Sequence, residues 1–499
     1  MSGGLSTPPG ARRDTGSPAP RQRRRPPRWD RPDPIDQLAE RFRESAAAAV
    51  HPDELAALLE SDGMTDDQIR ERYGCRNSFA LAEELYERVE RGRPEPDGPA
   101  PDPWRIDLLG CLLRGVVFAL PGLGYLLGAP LLTGPHDGFG LPAGTVPLLA
   151  GALCGWMWNQ GLAHRAYSWL GLGDRDAARR SLAVGAPAGV LLGAVAAFLA
   201  AGGGAPGAVA FAAGQSCYLG AATVLLVMGR ERALLYCLSP MAAGALLALV
   251  RPVPDWSRLA LPAGSLAVVV ILAGLEVAPA VRGLGAGNRA AALVALLRLG
   301  TPGGSPRLSA SLPYAFCGLG TGVLVLYAAL GDLIAHEGHG AVAAPAAVAL
   351  TLSMGPAEWL LYRFRSEGLA GLRSTSTTGA FRRAASVTLV QCLAGYLATL
   401  LILAHATAAL WPGAPDLDAV HLAGLLLLGA VLWTGLLLQS FGAVPGAAAV
   451  CCAAALAQTV ALVTYSGDPH LTGLLVYGVA AGLQTALVCG LLGRATAHR

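Results

Sequence analysis

The sequence has little charge and no lysine at all. Charged residues make up 14% of its 499 positions, and all 37 basic residues are arginine. A soluble enzyme carries about a quarter charged residues, so this composition excludes that class. We ascribe the missing lysine, together with the 64 glycines, to the base composition of a GC-rich genome and not to function.

Enzymatic signatures are missing as well. The chain has no Walker loop, no nucleophile elbow and no zinc-binding pattern, so we expect no enzyme and no metal or other cofactor. His336 and His339 lack the i, i+4 spacing of a metalloprotease. Asp174 and Asp176 match the Asp-x-Asp of metal-dependent glycosyltransferases, but no nucleotide-binding domain surrounds them. All ten cysteines except Cys75 lie in apolar runs, which indicates packing and not a disulfide framework.

The first 104 residues are polar and fall into three segments. Residues 1–35 hold eight Arg against three Asp. This predicts a disordered basic tail, which either binds anionic lipid or only enforces topology. Residues 36–92 hold 14 acidic residues against seven Arg and show helical periodicity, so they predict a small cytosolic helical domain. Residues 93–104, rich in Pro and Asp, are the predicted linker.

Local signals place helix boundaries in the acidic segment. Pro52 begins one helix, Thr65 and Gln68 form a capping box for the next, and Gly74 ends it. Ser78 is expected to cap a third helix. The pattern resembles a helix-turn-helix, but its excess of acidic residues repels nucleic-acid phosphate. We therefore predict a docking or regulatory domain that binds a cytosolic glycosyltransferase or regulator, and no nucleic acid.

What the chain does contain is a series of apolar runs from Arg105 to its end. About 20 apolar residues make a helix that crosses a bilayer. The sequence therefore predicts an all-α, polytopic membrane protein with about 12 transmembrane helices. The predicted spans are 106–132, 141–163, 182–201, 206–228, 233–250, 259–281, 309–335, 341–363, 386–405, 419–440, 444–465 and 470–492.

Arginine is concentrated in alternate loops. Arg251 and Arg258 are the charges of note on the opposite side. By the positive-inside rule this predicts a multi-pass protein of the cell membrane with both termini in the cytoplasm. The first apolar run begins only near Ile106, so we expect no cleavable signal peptide. The arginine-rich loops are 164–180, 229–232, 282–307, 363–383 and 493–499.

Two groups of six spans look alike. Gly122-Leu123-Gly124 in the first span matches Gly318-Leu319-Gly320 in the seventh, 196 residues later. Paired arginines follow both the second and the eighth span. The sequence therefore predicts a first six-helix bundle at 105–281, a cytoplasmic connecting loop at 282–308 and a second, parallel bundle at 309–499.

This layout and one loop resemble a known superfamily. The loop after the second span reads Tyr167-Ser168-Trp169-Leu170-Gly171-Leu172-Gly173-Asp174-Arg175-Asp176-Ala177-Ala178. Members of the multidrug/oligosaccharidyl-lipid/polysaccharide exporter superfamily often carry a similar Leu-Gly-x-Gly-Asp stretch there. Residues 105–495 most resemble the membrane subunit of Pel-type exopolysaccharide export systems, and next the lipid-linked glycan flippases. The resemblance implies alternating access of two bundles about a central cavity, whereas the acidic N-terminal domain departs from it.

Charged and amide side chains inside the spans are the candidate site residues, because each is costly in lipid unless it is paired or faces a polar cavity. Arg114 either snorkels toward the cytoplasm or holds phosphate or carboxylate. Glu358 either takes up a proton or cation, or is tied to an arginine of another helix. The amides either join helices or line a glycan path. The predicted cavity residues are Arg114, Asn159, Gln160, Gln215, Glu276, Asp332, Glu358 and Gln391.

A second set of candidates is made of arginines at the cytoplasmic ends of the spans. These side chains either attract anionic headgroups by their charge or only fix the topology. The predicted cytoplasmic mouth consists of Arg165, Arg179, Arg180, Arg363, Arg382 and Arg383.

Three functions fit the sequence. The first is an exporter or flippase that moves a polysaccharide or lipid-linked glycan across the cytoplasmic membrane, with membrane lipids and the glycan as its partners. The second is an ion-coupled small-molecule antiporter, which needs Glu358, Glu276 or Asp332 for coupling. The third is a non-transporting scaffold that recruits a cytosolic glycan synthase through residues 36–92.

Overall fold

The computed structural model describes residues 33–49, 51–89, 107–132, 144–282, 306–334, 345–375, 377–410, 418–464 and 467–492. All secondary structure in these ranges is helical. The chain divides into two compact units, Met1–Pro101 and Asp102–Arg499, which we call the N-terminal unit and the membrane unit. The predicted linker lies outside the described residues, as do most of the basic tail and most of the connecting loop.

The described part of the N-terminal unit is built from short helices around its own apolar core. Leucine and isoleucine side chains from α3, α4 and α5 meet there, and Leu59, Ile69 and Leu81 are each at most 1% exposed. The unit therefore has the buried surface that a separate domain needs. Its helices are α1 (Pro34–Arg41), α2 (Arg43–Ala48), α3 (Pro52–Ser61), α4 (Asp66–Tyr73) and α5 (Ser78–Arg88).

The boundaries of these helices follow local signals, with one exception. The predicted capping box is present, because the Gln68 amide donates to Thr65 Oγ1 and the Thr65 amide donates to Gln68 Oε1. Gly74 ends α4 in the left-handed conformation at φ 73°. The prediction that Ser78 caps α5 is wrong. Asn77 is the cap and accepts from the Ala80 amide at 3.0 Å, since asparagine directly before the helix reaches that donor.

Arg88 joins the last helix of the N-terminal unit to its first. Its guanidinium lies 2.7 Å from Asp33, 2.8 Å from Asp36 and 3.0 Å from Glu84. The hydrogen bond from Arg88 holds the pKa of Asp33 below its ordinary value, and a bond from the Ile35 amide adds to this effect. The same carboxylates raise the pKa of Arg88.

The membrane unit consists of long helices before and after a gap at residues 283–305. We call the helices before the gap the first half and those after it the second half. The first half comprises α6 (Leu108–Leu132), α7 (Thr145–Gly171), α8 (Arg175–Ala200), α9 (Pro206–Val227), α10 (Glu231–Val250) and α11 (Asp255–Arg282). The second half opens with a 3-10 turn (Leu308–Ser311) and comprises α12 (Leu312–Ile334), α13 (Pro345–Leu352), α14 (Met354–Ser374), α15 (Thr378–Leu410), α16 (Ala419–Ser440), α17 (Val444–Val463) and α18 (Pro469–Leu492).

Ten helices in the described part of the chain are long and apolar enough to cross a membrane, which makes this a multi-pass membrane protein. The helices at the predicted second and eighth spans are not among the ten. In α7, Asn159 and Gln160 interrupt the apolar run. The predicted span 341–363 is divided at Ser353 into α13 and the arginine-bearing α14.

Neighbouring helices pack in a regular order. In the first half, α6 packs on α10, α7 on α8, α8 on α9, and both α9 and α10 on α11. In the second half, α12 packs on α17, α13 and α14 on α15, α15 on α16, and both α16 and α17 on α18. The halves meet where α6 contacts α13 and α14, and where α7 contacts α12. The two less apolar helices therefore lie between the halves.

One end of the membrane unit carries most of its arginine. It holds the start of α6, the start of α12 and the junctions α7–α8, α9–α10, α14–α15 and α16–α17. We call it the arginine-rich end. Its arginines include Arg175, Arg179, Arg180, Arg230, Arg232, Arg363, Arg365, Arg373, Arg382 and Arg383.

Candidate functional site

The two halves come into backbone contact where α6 crosses α14. A Cβ added to Gly115 would lie 2.9 Å from the backbone nitrogen of Gly355, and one added to Gly355 would lie 2.5 Å from the Cys111 carbonyl oxygen. Both distances are shorter than Cβ contacts in real proteins. This crossing therefore needs glycine on both helices, and it brings their neighbouring side chains close together.

One arginine and two carboxylates meet beside the crossing. Arg114, next to Gly115, forms an ion pair with Glu358 of α14 through Nη1. Its Nε lies 2.9 Å from Oε1 of Glu231, the first residue of α10. Tyr362, one turn after Glu358, hydrogen-bonds the Glu358 carboxylate. We call Arg114, Glu231 and Glu358 the crossing triad; it joins the two halves and contains one more carboxylate than guanidinium.

A second contact between the halves lies where α7 meets α12. The His164 ring stacks on Tyr314 with centroids 3.8 Å apart, and His164 Nδ1 lies 3.0 Å from Ser311 Oγ. One turn earlier, a Cβ on Gly161 would lie 3.4 Å from the Ala315 Cβ. These residues and the crossing triad lie toward the arginine-rich end, so both contacts close the same end of the unit.

Two predicted site residues flank this α7–α12 contact. The Gln160 side chain lies against Gly318, whose added Cβ would be 2.7 Å from Gln160 Cγ. Arg165 Nη1 donates to the Pro306 carbonyl oxygen at 3.4 Å. Arg165, predicted at the mouth, thus contacts the start of the second half directly.

Glu276 belongs to a different ionic network, which lies within the first half. Arg179 Nη2 donates to its Oε1 and Arg230 Nε donates to its Oε2, both at 3.0 Å. Arg175 Nη2 lies 4.0 Å away, and the Glu276 side chain is only 9% exposed. Guanidinium groups outnumber the carboxylate here. The network therefore offers no excess negative charge for a proton or cation to neutralise.

Two of the predicted cavity amides are bonded within the first half. Asn159 is buried, and its Nδ2 donates to the Gly155 carbonyl oxygen of its own helix at 2.8 Å. Gln215 Nε2 donates to the Tyr125 hydroxyl at 2.5 Å, which joins α9 to α6. The sequence left two roles open for these amides, to join helices or to line a glycan path. Gln215 does join two helices.

The remaining predicted cavity residues do not gather with the others. Gln391 is exposed on α15 and makes no hydrogen bond within the described part of the chain. The side chain of Asp332 lies outside the described residues, as do His336 and His339. The structure thus brings Arg114 and Glu358 together and leaves Gln391 apart.

The predicted mouth arginines differ between the halves. Arg179 contacts Glu276, and Arg180 Nη2 lies 3.9 Å from Asp174 Oδ2. In the second half the corresponding guanidinium groups are not paired in this way with carboxylates that the structure describes. Arg363, Arg382 and Arg383 are exposed, and none of them forms an ion pair with another residue that the structure describes. The charge of these three side chains is therefore available to an anionic group.

Sequence reasoning missed Glu231 and Tyr362. Glu231 lies between Arg230 and Arg232 in the arginine-rich loop 229–232. A signal was present, because Glu231 begins an apolar run and carboxylates are favoured at a helix start. Such a carboxylate lies at the membrane boundary, level with a charge in the first turns of a neighbouring helix. No comparable signal marks Tyr362.

A scan against protein-family models, a search of curated proteins and a search of solved structures each found no match to this chain. The class therefore rests on the fold itself. It is a helical multi-pass membrane protein with a separate acidic N-terminal unit.

Proposed function

We propose that the chain moves a polysaccharide or lipid-linked glycan across the cell membrane by alternating access between its two halves. Twelve spans are formed by α6–α12, the α13–α14 pair and α15–α18. The arginine-rich end and both termini face the cytoplasm, where the N-terminal unit forms a cytosolic domain.

The observation that carries this proposal is the shared order of packing partners. The pairs α6–α10, α7–α8, α9–α11 and α10–α11 have counterparts six spans later in α12–α17, α14–α15, α16–α18 and α17–α18. Between the halves, the first span contacts the eighth (α6 with α14) and the second span contacts the seventh (α7 with α12). Each of these contacts becomes the other when the two halves are exchanged. A two-fold axis along the membrane normal produces this arrangement, so it supports two parallel six-helix repeats.

The glycines of the sequence repeat support the same relation. A Cβ on Gly124 would lie 3.2 Å from the Met241 sulfur of α10. A Cβ on Gly320, 196 residues later, would lie 2.8 Å from the backbone of Cys451 in α17. Matched glycines thus face matched neighbours, and repeats of this kind are typical of secondary transporters.

The substrate class rests on the resemblance to polysaccharide exporters and on charge at the cytoplasmic mouth. Arg363, Arg382 and Arg383 are exposed there without carboxylate partners among the described residues. Arginine binds phosphate by bidentate hydrogen bonds. These side chains are suited to collect the phosphate of a lipid-linked glycan before it enters between the halves.

A second candidate function is an ion-coupled small-molecule antiporter. The crossing triad favours it, because one guanidinium there faces two carboxylates. A third candidate, the scaffold that recruits a glycan synthase through residues 36–92, is favoured by the separate core of the N-terminal unit.

The test is extracellular polysaccharide in a deletion strain complemented with three chains: wild type, Arg382→Gln/Arg383→Gln, and a chain lacking residues 1–92. We expect deletion to abolish surface glycan, wild type to restore it, and the double arginine variant to restore it only in part at equal membrane level. Unchanged glycan in the deletion strain would refute the proposal and direct attention to drug efflux. Failure of the truncation alone would support the scaffold.

A further inference from the structure

We propose that Arg114 and Glu358 form a latch that holds the arginine-rich ends of the two halves together, and that a proton taken up by Glu358 opens it. The inference rests on the proposed movement of the halves, but not on the identity of the substrate.

The ion pair lies where the two halves touch. Arg114 belongs to the first half and Glu358 to the second, and the pair lies beside the glycines at which α6 and α14 touch. Backbone atoms face each other at Gly115 and Gly355, so little side-chain packing is available at that point. The ion pair is therefore a specific attraction between the halves where they must part to open the cytoplasmic end.

The crossing triad carries a net negative charge. Two carboxylates and one guanidinium sum to one negative charge, and the three side chains are between 23% and 34% exposed. A partly buried charge without a partner is unfavourable. One proton makes the triad neutral. Arg114 then keeps Glu231, a partner in its own half, and loses the charged partner in the other half.

Helix position and exposure determine which of the two carboxylates receives the proton. Glu231 is the first residue of α10, where the helix dipole favours a negative charge. Glu358 lies inside α14, one turn after its start, and is the less exposed of the two. The less exposed carboxylate, Glu358, which does not begin its helix, therefore takes the proton.

Further titratable groups lie near the triad. Cys111 and Asp107 are on or just before α6, Tyr167 is on α7, and Tyr362 is on α14. Tyr362 hydrogen-bonds Glu358 in the closed arrangement. A phenol in this position remains a partner for Glu358 after Arg114 has left it.

The experiment measures closure at the second contact between the halves, away from the triad. The full chain, with its ten native cysteines replaced by alanine, carries Gly161→Cys and Ala315→Cys. The Cβ of residue 161 would lie 3.4 Å from that of Ala315, which suits a disulfide. A reference pair within the first half, Gly151→Cys and Ala212→Cys, has the same 3.4 Å separation. Initial rates of disulfide formation are measured in liposomes from neutral to acidic pH. The rate of the 161–315 pair is divided by the rate of the reference pair at each pH.

We expect acidification to lower the rate of the 161–315 pair, relative to the reference pair, roughly threefold or more. A change of this size corresponds to the free energy of one ion pair. In Glu358→Gln the ratio should already be low at neutral pH and should not change with pH. Glu276→Gln, which removes a carboxylate from a network inside one half, should keep the wild-type ratio and its pH dependence.

Two results would overturn the latch. One is a Glu358→Gln variant whose ratio equals that of wild type at every pH. The other is a Glu276→Gln variant whose ratio at neutral pH is as low as that expected for Glu358→Gln. A variant that misfolds is recognised because its reference pair forms a disulfide slowly. The pH dependence of the chain with an intact triad tests the latch without any substitution in the triad. Because the assay contains no substrate, a failed glycan assay leaves its result intact, and a failed latch leaves the glycan proposal standing.

Discussion

Glu276 and Glu358 are both carboxylates of membrane helices that contact arginine, but the charges that surround them differ. Three guanidinium groups surround the more buried Glu276. At Glu358 a single guanidinium is shared with Glu231. The balance of charge around each carboxylate, more than its burial, therefore distinguishes the two.

Charge balance also governs Asp33 and Arg88 in the N-terminal unit. Arg88 lowers the pKa of Asp33 below its ordinary value. This interaction stabilises the fold above the pKa that Asp33 has in the unfolded chain, and its contribution is lost as pH falls through the lower, folded pKa. We expect Arg88→Gln to reduce stability near neutral pH and to flatten its decline in the acid range. Urea unfolding of residues 1–101 across acid pH, followed by circular dichroism, measures this.

A matched control for that experiment is Arg70→Gln. Arg70 pairs with Asp67 and does not contact Asp33. It removes the same charge and should keep the wild-type acid dependence. If Arg70→Gln and Arg88→Gln decline alike, the Asp33–Arg88 contact is not the source of the acid sensitivity.

At the scale of the helix, a buried amide joins three elements of the second half. Gln484 of α18 is fully buried, accepts from Thr434 Oγ1 of α16 at 2.7 Å and donates to Cys451 Sγ of α17 at 3.1 Å. The single hydroxyl hydrogen of Thr434 can instead be donated to the Ala430 carbonyl oxygen, 2.6 Å away, so Thr434 keeps a partner if Gln484 is lost. Interhelical hydrogen bonds in membranes contribute about 0.6 kcal/mol on average and up to about 1.7 kcal/mol.

We therefore expect Gln484→Leu to lower the free energy of unfolding by about 1 kcal/mol, measured as a lower melting temperature in detergent. The control is Gln391→Leu. Gln391 is exposed on α15 without a hydrogen bond in the described part of the chain, so its replacement should leave the melting temperature unchanged. Equal shifts in the two variants would show that Gln484 does not join the helices.

Elements were predictable from sequence where local chemistry decides them. The capping box at Thr65 and the stop at Gly74 follow from neighbours along the chain, as do the apolar runs that become helices. The cap of α5 is ambiguous in the sequence, because the adjacent polar residues Asn77 and Ser78 both suit that position. No local signal predicts the interruption at Ser353, where the hydroxyl donates to the Leu350 carbonyl oxygen and lies 3.1 Å from the Tyr396 hydroxyl, 43 residues further along the chain.

At the scale of the whole molecule, the sequence places Arg114 and Glu358 within apolar runs but does not show that the two side chains meet. Arg114 and Glu358 are 244 residues apart, and no local rule pairs them. Arg363 on the same helix was the nearest cation along the chain, but it lies on the ring of Trp359 and is exposed. Pairing across the halves depends on the glycine crossing, which only the three-dimensional arrangement reveals.

That crossing leads to a prediction for the assembly of the halves. A Cβ on Gly115 would meet the backbone of Gly355 at 2.9 Å, whereas a Cβ on Gly110 of the same helix would meet nothing within 4 Å. Backbone cannot rotate away as a side chain can, so Gly115→Ala must push α6 and α14 apart. Overpacking of this kind costs about 1–3 kcal/mol. We expect Gly115→Ala to lower the melting temperature in detergent and Gly110→Ala to leave it within error of wild type. If both alanines are tolerated equally, the halves do not depend on close contact at this point, and the Arg114–Glu358 pair loses the geometry that places it between them.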